Sequence, residues 1–181
     1  MNFGVAQNLQ DGQKRWSSEN KLTVDDFKIK VNDDNSDIIY SQFAINHEIS
    51  GFNFMTKNLN QKVHNIFLGN ASWIDTTRTE SINNDIEFQQ MQFDIAEVYT
   101  RKFRKEVLKN KNQIAKGLDI VKQIDNEIMT DLSEERLRFM KETDSGRNTN
   151  KLQEWREKII SDLNDLNEFR FENKMKIKIT D

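Results

Sequence analysis

Residues 88–107, FQQMQFDIAEVYTRKFRKEV, decide how the chain folds. Met91, Ile95, Val98 with Tyr99, Lys102 with Phe103, and Val107 recur at helical spacing and trace one face of an α-helix. Ser81 or Asn84 stands ahead of this stretch as a cap, and Asp85 and Glu87 fall in the first turn. Carboxylates there suit the positive end of the helix macrodipole. Arg101, Lys102, Arg104 and Lys105 lie toward the C-terminal half, where cations suit the negative end.

Before Ser81 the pattern is different. Ile38–Ile49 alternates in part, through Ile39, Ser41, Phe43 and Ile45, as a half-buried strand does. Leu22–Val31, Phe52–Met55, Val63–Leu68 and Ser72-Trp73-Ile74 are further strand candidates. The turn-rich run Asn32–Asp37 and the pair Gly69-Asn70 separate them. Val63–Leu68 carries apolar residues on both faces, so both faces are expected to be partly covered. After Val107 the helical period persists. Lys109–Gly117 breaks it, then Leu118, Val121, Ile124, Ile128 and Leu132 trace a second helix that runs on through Leu137 and Met140. Asp144-Ser145-Gly146 is a stop. Asn150 with Gln153 has the spacing of a capping box for a third helix, along Leu152, Trp155, Ile159, Leu163, Leu166 and Phe169.

Strands first and helices after make an α+β domain, a mostly antiparallel sheet with three helices packed on one side. The expected layout is one domain over residues 16–171. Residues 1–15 form an N-terminal tail or the remnant of a signal peptide, since Met1–Gln7 resembles the end of one. Residues 172–181, including MKIKIT, form a C-terminal tail or a short strand.

Composition narrows the function. The 181 residues are 35% apolar and 31% charged, which suits long helices with solvated faces over a modest core. A formal net charge of −3 gives no electrostatic case for nucleic acid. No apolar run is long enough to span a membrane. Cysteine is absent, which removes disulfides, thiolate nucleophiles and cysteine metal sites. Proline is absent too, so Gly, Asn, Asp and Ser must make the turns.

Four segments resemble, in order, one family of predicted secreted bacterial zinc-dependent proteases, catalogued as domain of unknown function 922. Leu22-Thr23-Val24-Asp25-Asp26-Phe27 is similar to that family's Leu-Thr-Trp-x-Asp-Phe element. Ser72-Trp73 is similar to its Ser-Trp before the helix. Phe88–Glu97, FQQMQFDIAE, resembles its HEQxHFDIAE. Glu142-Thr143-Asp144-Ser145-Gly146, followed by Gln153 and Trp155, resembles Glu-Thr-x-His-Gly…Gln…Trp. The resemblance spans about residues 16–163. It implies a zincin-like scaffold. Two histidines and a glutamate on one helix, with a third histidine downstream, would hold zinc and activate water.

Here the matching positions are Phe88, Gln89, Gln92 and Ser145. Phenylalanine has no donor, glutamine offers only a neutral carbonyl, and a serine hydroxyl is a weak ligand. Gln89 cannot take up a proton as a general base. The resemblance therefore implies a pseudoenzyme with no catalytic residue, metal or cofactor. Its retained framework would be Asp94, Glu97, Tyr99 and Glu142, with Asp94 and Glu97 hydrogen-bonded against the sheet or the Glu142–Gly146 turn.

Other chemistry is weaker still. His47-Glu48 lacks the second histidine, and His47 and His64 read as partly exposed strand residues. Asp85, Glu87, Asp94 and Glu97 are close in sequence, but Glu87, Asp94 and Glu97 do not share one helical face, so a solvated face explains them better than a carboxylate metal site. Trp73, Tyr99 and Trp155 read as core aromatics, and Ser145 has no histidine to activate it. The run Arg101–Lys105 reads as a solvated helix face.

The expected activity is binding of a protein or peptide partner in the old substrate groove, with Gln89 and Gln92 bonding an extended peptide backbone. The expected location is periplasmic or secreted. One alternative is an active secreted hydrolase or peptidase using other residues or another metal site. A second is a purely structural helical interaction domain. The resemblance implies that Phe88, Gln89, Gln92 and Ser145 converge at the floor of a groove.

Overall fold

The structure, a computed structural model, describes residues 9–32, 38–77 and 81–179. Met1–Gln7 and most of the Asn32–Asp37 turn lie outside the described residues.

Among the described residues, six short strands form two three-stranded sheets. The first joins β1 (Gln13–Arg15), β5 (Val63–Leu68) and β4 (Phe43–His47), with β5 central and both pairings antiparallel. The second joins β2 (Ile29–Val31), β6 (Trp73–Asp75) and β3 (Ile39–Tyr40). Here β2 runs parallel to β6 and β3 antiparallel, so the fold is α+β with one antiparallel and one mixed sheet. The expected single strand over Ile38–Ile49 is two strands in different sheets. They are divided where the Gln42 amide donates to Ser72 Oγ rather than to a ladder partner.

β5 is buried along nearly its whole length, as its two apolar faces require. Phe52–Met55, expected as a strand, lies in a 3-10 turn over Gly51–Met55. Asn53 Oδ1 accepts the Ser50 amide at 2.7 Å, and this local bond competes successfully with strand pairing. Leu22–Val31 likewise opens with a 3-10 turn at Val24–Asp26, closed by the Asp26 carboxylate accepting the Thr23 amide, before β2 begins.

Among the described residues three long helices follow, with one short turn between the first two. α1 (Ile82–Lys109) has Ser81 at its N-cap position. The Ser81 hydroxyl bonds Asp85 rather than the backbone. α2 (Lys111–Ile114) is a single turn, and α3 (Asp119–Glu142) continues unbroken past Ser133. Its buried face is Val121, Ile124, Ile128, Leu132 and Phe139. Leu137 and Met140, expected on that face, are exposed. Glu135 and Arg136 fill the positions between Leu132 and Phe139 and lie half-buried. α4 (Thr149–Asp165) is capped by Asn148, whose Oδ1 accepts the Lys151 amide, and not by Asn150.

α1 is the central element. It packs on α3 and α4 on one side and on β5 on the other. Buried residues of α1 contribute to both hydrophobic clusters, Phe93 and Ile86 to one and Ile95, Phe103 and Val107 to the other. Residues 175–179 make no strand; Ile177 and Ile179 dock against the second cluster, and Asn58 Nδ2 holds Asn173 O and Met175 O.

Candidate functional site

Phe88, Gln89 and Gln92 all project from α1 toward α3. The Phe88 ring stacks on Phe139, centroids 4.9 Å apart and planes 17° apart. Phe139 meets the edge of Trp155 at 5.3 Å. Trp155 Nε1 in turn donates to Glu142 Oε2 at 2.8 Å. The turn after α3 closes onto the same ring, since a Cβ at Gly146 would lie 3.1 Å from Phe88. Beside this stack runs a polar chain. Gln92 Nε2 donates to Gln89 Oε1 at 3.0 Å, and Arg136 Nη2 donates to Gln92 Oε1 at 3.0 Å.

The structure thus brings three of the four positions together with the turn that carries Ser145. Ser145 itself is exposed at the edge, with its backbone at φ 51°. The meeting place is filled rather than open. Gln89 and Gln92 are 6% and 4% exposed, so they do not line a cleft as expected. Phe139 occupies the apolar volume, and Arg136 reaches across from α3 to take the free amide oxygen. These residues do not fit a zinc ion. Each glutamine carbonyl already accepts a hydrogen bond, and a guanidinium sits 3.0 Å from Gln92 Oε1, where it would repel a cation.

Asp94 and Glu97 hold α1 in place. Asp94 Oδ1 accepts Trp16 Nε1 at 2.6 Å and Gln90 Nε2 at 2.7 Å, with Lys21 Nζ at 3.6 Å. Glu97 Oε1 accepts Arg101 Nε at 3.1 Å and Arg104 Nη1 at 2.9 Å, all three side chains being buried. Arg104 then donates to Val63 O and Phe169 O, and Arg101 to Leu163 O. One carboxylate therefore organises contacts to β5, to α4 and to the segment after it. Burial pushes the Arg104 guanidinium below its ordinary value, with Glu97 opposing that fall. Tyr99 is buried and its hydroxyl is pushed up to about 12, first by burial and then by Glu135 and Asp131.

An open groove lies on the opposite flank of α1. It has a volume of about 810 Å³ and runs between residues 21–25, α1 and α4. Leu22, Val24, Ile86, Met91, Ile159, Ile160 and Leu163 make it largely apolar. Gln90 fixes one wall, its Oε1 accepting the Leu22 amide at 2.7 Å. The groove's charged residues include Glu87 with Arg156 and Asp94 with Lys21 as ion pairs. At the Leu163 end it adjoins a recess of about 220 Å³ lined by Trp16, Lys21, Arg101, Arg170 and Glu172. The one sequence signal for this groove is Ile160, an apolar residue off the buried stripe of α4, which is 53% exposed.

The histidines lie elsewhere. His47 ends β4 against Phe103. His64, expected to be partly exposed, is 3% exposed on the central strand, and neither ring nitrogen has a hydrogen-bond partner. Among the described residues no three His, Asp or Glu side chains cluster so as to hold a metal ion. No family model, curated protein or solved structure matches the chain.

Proposed function

We propose that the protein is a non-catalytic, metalloprotease-like domain that acts by binding a peptide or protein partner. The observation that carries this reading is how Phe88, Gln89 and Gln92 are used. Each is committed to a stack or hydrogen bond that a metal site would need broken, while the far flank of α1 stays open.

The groove there suits an apolar peptide segment. Its volume is within the usual range for ligand sites, and its floor is mostly Leu, Ile and Met side chains. In the recess at its end, Lys21 and Arg101 are already paired with Asp94 and Glu97 and Arg170 is accompanied by Glu172, so the apolar floor sets the preference. Of the groove's carboxylates, Glu87 and Asp94 are paired with Arg156 and Lys21, which disfavours either as a general base. The zincin-like scaffold and a periplasmic or secreted location belong to the same reading and rest on the sequence resemblance.

The test combines metal analysis of the purified protein with titration of a library of apolar peptides. The expected result is no stoichiometric zinc, no cleavage, and saturable binding that Ile160→Glu abolishes. Stoichiometric zinc, or chelator-sensitive cleavage of any peptide, would overturn the reading.

A further inference from the structure

The chain carries a formal net charge of −3, yet one end of the molecule is strongly basic. Segments 50–62, 105–117 and 173–179 hold nine lysines, no arginine and a single acidic residue, Glu106. The fold gathers these segments. The Gly51–Met55 turn packs on α2, and Asn58 bonds Asn173 O and Met175 O. Lys105, Lys109, Lys111, Ile177 and Ile179 line one shared depression of about 610 Å³. Only Lys62 and Lys109 have acidic partners among the described contacts, Glu48 at 3.7 Å and Glu106 at 2.9 Å.

Three large apolar side chains stand out of this basic field. Phe52 is 80% exposed, Met55 72% and Met175 74%. A single exposed apolar residue needs no explanation. Here three project from two segments that Asn58 ties together, and residues 50–62 and 173–179 carry five lysines and no acidic residue.

We propose that this face docks on an anionic lipid bilayer, with Phe52, Met55 and Met175 entering the headgroup layer and the lysines meeting lipid phosphates. Interfacial binding of this kind combines shallow apolar insertion with attraction worth about 1 kcal/mol per basic residue near the surface. No helix among the described residues is long and apolar enough to cross a membrane, so the contact is peripheral. Nucleic acid is the less suitable partner. Base readout and backbone clamping favour arginine, which these segments lack, and methionine adds nothing to phosphate contact. The inference does not depend on the groove beside α1.

Vesicle flotation tests it, with phosphatidylcholine alone or with phosphatidylglycerol replacing about a third of the lipid. The expected result is binding only to the anionic vesicles, lost at high salt as screening shortens. Replacing Lys174, Lys176 and Lys178 together by glutamine should weaken partitioning roughly a hundredfold. Phe52→Ser with Met55→Ser should weaken it roughly tenfold without changing the salt dependence. All five positions are exposed, and unchanged thermal unfolding confirms that each variant is folded. Equal binding to both vesicles, or none, overturns the proposal. So does anionic binding that is indifferent to the Phe52 and Met55 changes, and competition by a DNA duplex would then identify a nucleic-acid face.

Discussion

At the scale of single residues, Glu97 and Glu142 separate what the fold depends on from what it tolerates. Glu97 is 1% exposed and, among the described residues, is the only carboxylate bonded to Arg101 and Arg104. Glu97→Gln leaves two buried guanidiniums without an anion, and a broken buried pair costs about 3–5 kcal/mol. Urea unfolding should show that loss at pH 7. Glu142→Gln keeps an oxygen for Trp155 Nε1 at an exposed site, so its cost should stay below about 1 kcal/mol. Both carboxylates were read from the sequence as framework through the resemblance alone, Glu97 on the segment that carries positions 88, 89 and 92 and Glu142 on the one that carries position 145. What the sequence could not reveal was Arg136. It lies 44 residues from Gln92, and only the packing of α3 on α1 makes it the group that closes the position.

Among the elements, the turn between α3 and α4 stores local strain. Asp144 and Ser145 adopt φ 50° and 51°, a left-handed region that side chains disfavour, and Gly146 follows at φ 95°. The turn is held there by Ser145 N donating to Met140 O at 2.8 Å and Asn148 N to Thr143 O at 2.8 Å. Ser145→Gly relieves one strained position on an exposed residue and should raise stability by about 0.5–1 kcal/mol. Gly146→Ala should lower it by at least about 1 kcal/mol, because its Cβ meets both a positive φ and the Phe88 ring at 3.1 Å. Thermal melts of the two variants should therefore move in opposite directions. The stop at Asp144-Ser145-Gly146 was readable from residue types, as were the long helices from their period. The short elements were not. Gly51–Met55 looks apolar enough for a strand, and Gln13–Arg15, a real one, carries no apolar residue at all. Strands of three residues owe their existence to partners distant in the chain, here Ile66–Leu68, and such pairing leaves no local period.

Across the whole molecule, α1 joins two hydrophobic clusters, and the C-terminal segment seals the edge of the larger one. Phe171 lies between the His64 ring at 5.3 Å and the Arg15 guanidinium at 4.3 Å. His64 faces Arg15 from β1, Arg104 from α1, and Lys62 and Glu48 near the strand ends. Burial, and then the nearby Arg15, lower its pKa from 6.5 to about 4. The unfolded chain therefore binds a proton that the folded chain refuses throughout that window. Stability from this group is fully present above pH 6.5 and is lost as pH falls toward 4, by up to about 3 kcal/mol. Chemical denaturation across this range should show the slope, and His64→Leu should remove most of it. The same variant should be near neutral at pH 7, since both ring nitrogens are buried without partners and a leucine leaves none behind. A slope unchanged in His64→Leu would assign the acid sensitivity to the surface carboxylates instead. The molecule's tolerance of acid would then owe nothing to the cationic seam beneath Phe171.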